Sequence, residues 1–160
     1  MRRASPACAL LMLLPAMSQA AVSCSTSATG PSFGVYNPLS STATPANGSI
    51  SVTCSLTSGN SATVPVTVAF STGYSGTYSS RYMLSGTNRL SYNLYKDSAY
   101  TLIYGDGTGG SYTAAANPSF ELTRSNPSQT ASGVIYGLIG AKQDVAPGSY
   151  SDTIVVTISY

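Results

Sequence analysis

The feature that most constrains this chain is a two-residue alternation of apolar and polar side chains, repeated in short runs broken by Gly, Ser, Asn and Pro. Successive side chains of a β-strand point to opposite faces, so each run describes a strand with one buried face. Over residues 48–54, Ile50, Val52 and Cys54 share one face, and Ser49, Ser51 and Thr53 the other. Residues 63–70 repeat the pattern with Val64, Val66, Val68 and Phe70 inward, although Pro65 removes one ladder donor and predicts a sheet edge or bulge. Further strands are predicted over 89–95, 100–104, 119–123 and 133–139, with loops over 105–117 and 124–132. No stretch joins helical spacing to start and stop signals, so helix is expected to be minor. The expected class is all-β, a sandwich or barrel of antiparallel strands.

The last run, SDTIVVTISY over 151–160, keeps the alternation to its final residue, with Ile154, Val156, Ile158 and Tyr160 on one face and Val155 interrupting the other. A strand placed there needs one edge covered by a distant segment or by another chain, and an uncovered apolar edge is an aggregation liability. At the other end, Arg2 and Arg3 precede the apolar run from Ala9 to Ala16 and then Ser18-Gln19-Ala20. This is the pattern of a signal peptide over residues 1–20, cleaved between Ala20 and Ala21 and too short in its apolar core to span a membrane. Residues 21–160 then form a single domain, exported through the periplasm.

Removing the signal peptide changes the charge balance. Seven basic and five acidic residues give +2, and Arg2 and Arg3 supply the excess, so the exported chain is neutral. Without a basic cluster no nucleic-acid partner is expected, and no polybasic or amphipathic stretch suggests a membrane partner or membrane insertion. Of three cysteines, Cys8 lies in the signal peptide, leaving Cys24 and Cys54 as an even pair in an oxidising compartment. They are expected to form one disulfide, whose loop of about 30 residues stabilises the fold by roughly 3–4 kcal/mol. A lipid-modified Cys24 after Ala21-Val22-Ser23 is the rival, disfavoured because Ala21 stands where Leu is usual and because Cys54 would be left unpaired.

The chain has no histidine, which removes the commonest general base, the commonest metal ligand and every histidine-dependent triad. Asp97 and Asp106 flank a predicted strand in the manner of a glycosidase carboxylate pair. Asp97-Ser98 and Asp106-Gly107 are also turn dipeptides, and that is the reading adopted. Residues 105–110, GDGTGG, lack the Lys-Ser/Thr ending of a phosphate loop and the acidic ligands of a calcium loop. Asn47-Gly48 is read as a hairpin turn rather than as part of a glycosylation site. Tyr74, Tyr78 and Tyr112 are the candidates for aromatic stacking on a carbohydrate, although tyrosine is also a common strand residue. No catalytic residue, metal or cofactor is assigned.

Several segments together resemble the spore coat protein U domain family, which includes the archaic, Csu-type chaperone-usher pilins: Phe33-Gly34-Val35-Tyr36, GSISVTC ending at Cys54, Arg81-Tyr82-Met83, LSYNLYKD over 90–97, YGDGT over 104–108, Tyr136-Gly137 and PGSYSDTIVVTISY. The resemblance implies an incomplete immunoglobulin-like β-sandwich that lacks its final strand. It further implies a groove beside Ile154, Val156, Ile158 and Tyr160 filled by a strand from a periplasmic chaperone and later by one from another pilus subunit, after passage through an outer-membrane usher. The family's N-terminal donor extension is reduced here to Ala21-Val22-Ser23, which points to a tip position or to no polymer at all, and Tyr104 stands where many members have tryptophan. The function expected is therefore a structural subunit of an adhesive, biofilm-associated surface fibre, not an enzyme. The alternative is a free-standing secreted binding module, a lectin-like or coat protein.

Overall fold

A computed structural model describes residues 20–115 and 119–160, and strands dominate them. In chain order they are β1 (Ala21–Thr29), β2 (Thr44–Ser58), β3 (Ser61–Val64), β4 (Thr67–Phe70), β5 (Tyr82–Ser85), β6 (Asn88–Tyr95), β7 (Ala114–Ala115), β8 (Phe120–Thr123), β9 (Ser128–Ile139) and β10 (Val156–Ser159). The only helical element among these residues is a 3-10 turn, Gly73–Ser75. The first sheet runs β1-β2-β9-β6-β5. In the second layer β3 pairs with β8, while β4 lies between β10 and β7. Every strand pair is antiparallel.

The alternation determines which residues meet between the layers. Ile50, Val52, Leu90, Leu94, Ile135 and Ile139 of the first sheet pack with Val64, Val68, Phe70, Phe120 and Leu122 of the second in one core. The outward faces of β1, β2 and β9 carry Ser and Thr, with Thr53 and Thr130 hydroxyls 2.8 Å apart and Ser55 and Ser128 hydroxyls 2.9 Å apart. The architecture is an all-β sandwich of the immunoglobulin-like kind, as expected.

Four local expectations are corrected. The strand read over 63–70 is divided into β3 and β4 at Pro65-Val66, because proline has no N–H for the ladder. The strand read over 100–104 is not formed: Asp97 draws in the N–H groups of Thr101 and Leu102, at 3.0 and 2.7 Å, and Tyr100 adopts φ +57°. Only single bridges, Tyr95 to Ile103 and Tyr104 to Tyr112, remain there. Residues 128–132, read as loop, begin β9, whose small hydroxyl side chains bond across to β2 instead of showing apolar periodicity. Asn47-Gly48 is no turn; it lies inside β2, opposite Tyr136 and Ile135. The expected signal peptide, with Arg2, Arg3 and Cys8, lies outside the described residues save for Ala20, as does Asn117.

Candidate functional site

The site grows out of two strand edges. Beyond β4, the Ser71 N–H donates to the Val155 carbonyl at 2.9 Å, extending the register in which Val156 faces Phe70 and Ser159 faces Thr67. In an antiparallel ladder, residues alternate between those that bond the neighbour and those that turn their backbone groups away. Val155, Thr157 and Ser159 therefore bond towards β4. Ile154, Val156 and Ile158 aim their N–H and C=O groups at the opposite side, where no described strand pairs with β10. Their side chains pack inward against the core yet are only half-buried.

The edge of the first sheet on the same side is β1. Cys24 lies opposite Cys54 with Cα atoms 4.1 Å apart, and their sulfurs form the expected disulfide. That separation belongs to the narrow, non-hydrogen-bonded pair of an antiparallel ladder. Cys24, and by alternation Val22, Thr26 and Ala28, thus turn their backbone groups away from β2, and β1 has no other described partner. Each sheet contributes one unpaired edge to this side of the sandwich.

Where the edges diverge, a cleft of about 1260 Å³ opens into the core. Its floor is apolar, built by Phe70 of β4, Leu90 and Leu94 of β6, and Ile135 and Ile139 of β9, with Ala28 of β1 and Ile154 and Val156 at the rim. The loop between β1 and β2 and the segment 145–153 complete the walls. Asp152 is the one charged side chain in this lining, and it is fully engaged. Its carboxylate accepts from the Tyr92 hydroxyl at 2.7 Å and from the Tyr74 and Thr153 N–H groups at 3.0 and 2.7 Å. Burial, and then the Asp152 carboxylate, push the Tyr92 phenol well above its ordinary range. A surface with exposed strand backbone and apolar inward subsites is suited to take up an extended peptide.

The sequence-predicted residues divide as follows. Ile154 and Val156 line the cleft; Ile158 is half-buried on the same face beyond the lining, and Tyr160 is 57 % exposed outside it. Asp97 and Asp106 both sit in turns, each bonded to its own loop. Asp97 holds Thr101 and Leu102, and Asp106 accepts from the Thr108 N–H at 2.9 Å and its hydroxyl at 2.6 Å. These bonds hold both carboxyls below their ordinary range, led by the Leu102 N–H for Asp97 and the Thr108 hydroxyl for Asp106. Tyr74 and Tyr112 are about half exposed, whereas the Tyr78 ring lies 5.2 Å from the buried Arg81 guanidinium. Tyr104, at the tryptophan position of the resemblance, is buried and stacks on Phe70 at 4.6 Å. Sequence reasoning did not place Phe33 and Tyr36 at the cleft, although they stand in one of the segments that carried the resemblance. No group of His, Cys, Asp or Glu that could hold a metal occurs among the described residues, nor does a helix long and apolar enough to cross a membrane.

The family model for the Spore Coat Protein U domain matches residues 10–157, nearly the whole sequence. The chain belongs to the Spore Coat Protein U domain family. A solved structure with the same fold is that of the CsuC-CsuE chaperone-tip adhesion subunit pre-assembly complex from archaic chaperone-usher Csu pili of Acinetobacter baumannii. The match has a TM-score of 0.54 and 21 % identity, covering 87 % of this chain and 40 % of the matched one. This Spore Coat Protein U domain thus spans two fifths of that chain's length. No curated protein matches it.

Proposed function

We propose that this protein is a subunit of a bacterial surface fibre assembled by the chaperone-usher route, with its cleft as the acceptor for a strand supplied by another chain. The observation that carries the reading is the pair of unpaired edges, β1 and β10, flanking an apolar cleft. A strand laid along β10 finds the N–H and C=O groups of Ile154, Val156 and Ile158 already aimed at it, and its alternate side chains enter the core. Membership of the Spore Coat Protein U domain family and the likeness in fold to a chaperone-bound pilus subunit complex support the same reading.

In this scheme residues 1–20 are a signal peptide, residues 21–160 form the exported domain, and a periplasmic chaperone lends the first strand. The outer-membrane usher then exchanges it for a strand of another subunit at the cell surface, where the fibre serves adhesion and biofilm formation. Residues 21–23 pair with β2 in this scheme, as part of the edge strand β1. The test is co-purification from periplasm. A chaperone should emerge bound to the wild-type protein and be lost on deletion of residues 154–160; a free, monomeric wild-type protein would refute the reading.

A further inference from the structure

We propose that Phe33, carried between the sheets by the loop joining β1 to β2, is a built-in plug that fills one subsite of the cleft and so determines which side chains an inserted strand presents there; this rests on the strand-acceptor reading above. The floor of the cleft is uneven. Ile135, Gly137 and Ile139 succeed one another on the inward face of β9, and Gly137 leaves a hollow between two large residues. Phe33 fills that hollow: a Cβ at Gly137 would stand 2.7 Å from the Phe33 Cζ and 2.9 Å from Pro31. The same ring meets Tyr92 edge to face, with centroids 5.9 Å apart.

The plug has a built path and an anchor. Gly48, on the inward face of β2, lets the loop enter the sandwich, since a Cβ there would collide with the Thr29 carbonyl and lie 2.9 Å from the Pro31 nitrogen. Beyond the ring, the Tyr36 hydroxyl donates to the Gly140 carbonyl at 3.0 Å and accepts from the Gln143 N–H at 2.8 Å. The Gln143 side chain in turn bonds the Ser91 backbone twice, at 2.7 Å each. The loop is therefore tied through Tyr36 to β6 and to the residues just after β9, and the Phe33 ring stands against Tyr92 of β6 and Gly137 of β9. Inward side chains of a strand recur about every 6.6–6.8 Å. One of them must fall over the filled hollow, where a small residue fits, while its neighbours face open apolar subsites.

The experiment uses residues 21–160 refolded with labelled synthetic peptides of alternating Leu and Ser, in which each inward Leu in turn is changed to Gly or Phe. Binding is read by fluorescence anisotropy. The wild type should prefer Gly over Phe at one inward position alone, by at least about tenfold. Phe33→Ala should reverse the preference at that position and no other, Phe33→Leu should give an intermediate profile, and Val134→Thr, on the outward face of β9 and away from the cleft, should match the wild type. Should Phe33→Ala fail to fold, the wild type and Phe33→Leu decide the matter. Identical profiles for all folded proteins, with peptides bound, overturn the plug and leave the acceptor reading standing. If no peptide binds any of them, the acceptor reading fails and the plug with it.

Discussion

At the scale of single residues, Arg81 bears the heaviest polar load. It is fully buried, with Nη1 donating to the Asn93 Oδ1 at 2.8 Å and Nη2 to the Ser71 and Tyr104 carbonyls at 2.7 and 2.8 Å. These partners come from the end of β4, from β6 and from the bridge region before the 105–111 turn, so one guanidinium ties three segments together. Burial lowers its pKa from the ordinary value, but an arginine keeps its charge at neutral pH. Lysine cannot reach three divergent acceptors, and methionine leaves them buried and unpaired. Either replacement should cost roughly 3–5 kcal/mol, read as a lower urea midpoint at unchanged slope. Asp97 shows the opposite regime, an exposed carboxylate bonded by backbone. Its folded pKa is depressed, so its contribution is present above the ordinary carboxylate value and lost as pH falls through the folded one. Asp97→Asn should therefore lower stability at neutral pH and flatten the acid limb, the two proteins converging as pH falls below about 4.

At the scale of elements, the terminal run tests how a strand can be half-used. In β10 the inward face is Val156 and Ile158, and the outward face Thr157 and Ser159. Ile158→Asp places a charge in the apolar interior and should abolish chaperone capture and periplasmic accumulation. Thr157→Ser, on the exposed face, should change neither; equal effects of the two would show that β10 is not one wall of an acceptor. Gly137→Ala pushes a methyl into Phe33 and Pro31 and should destabilise by about 1–3 kcal/mol, seen as a lower melting temperature. These elements also show what the sequence made legible. Alternation located β6, β8 and the inward faces of β2 and β10, because each buries one apolar face. It missed β1 and the first part of β9, where Ser and Thr bond across strands without hydrophobic contrast. It misread residues 100–104, where apolar residues alternate but Asp97 takes the backbone donors. Asn47-Gly48 misled for a related reason: the glycine there serves passage of the loop over β2, and a turn dipeptide does not tell one use from the other. Ile154 and Val156 were legible as cleft residues from the alternation and the resemblance together. Phe33 was not, because its role depends on glycines distant in sequence.

At the scale of the whole molecule, the disulfide and the cleft act on the two edges of one side of the sandwich in opposite senses. The Cys24–Cys54 bond secures β1, itself an unpaired edge strand, to β2. The cleft exposes Ile154, Val156 and the apolar floor behind them. Each such side chain left in water forgoes about 1.5–3 kcal/mol, while a domain's net stability is only about 5–15 kcal/mol, so a few of them decide whether the isolated chain stays folded. Residues 21–160, oxidised and alone, should therefore melt at low temperature and aggregate in a concentration-dependent way, because two bare strand edges with apolar rims template further pairing. Joining an alternating Leu-Ser strand to the chain through a flexible linker should raise the melting temperature by tens of degrees and suppress aggregation, since it buries those side chains and pairs both edges at once. Reduction should lower stability in both forms by roughly 3–4 kcal/mol, because loop closure does not depend on whether the cleft is filled. Non-reducing mass spectrometry must first show one disulfide and no lipid on Cys24. A lone chain that is monomeric, melts high and gains nothing from the added strand would mean that its own segments already complete the sandwich, and the free-standing module would then be the correct description.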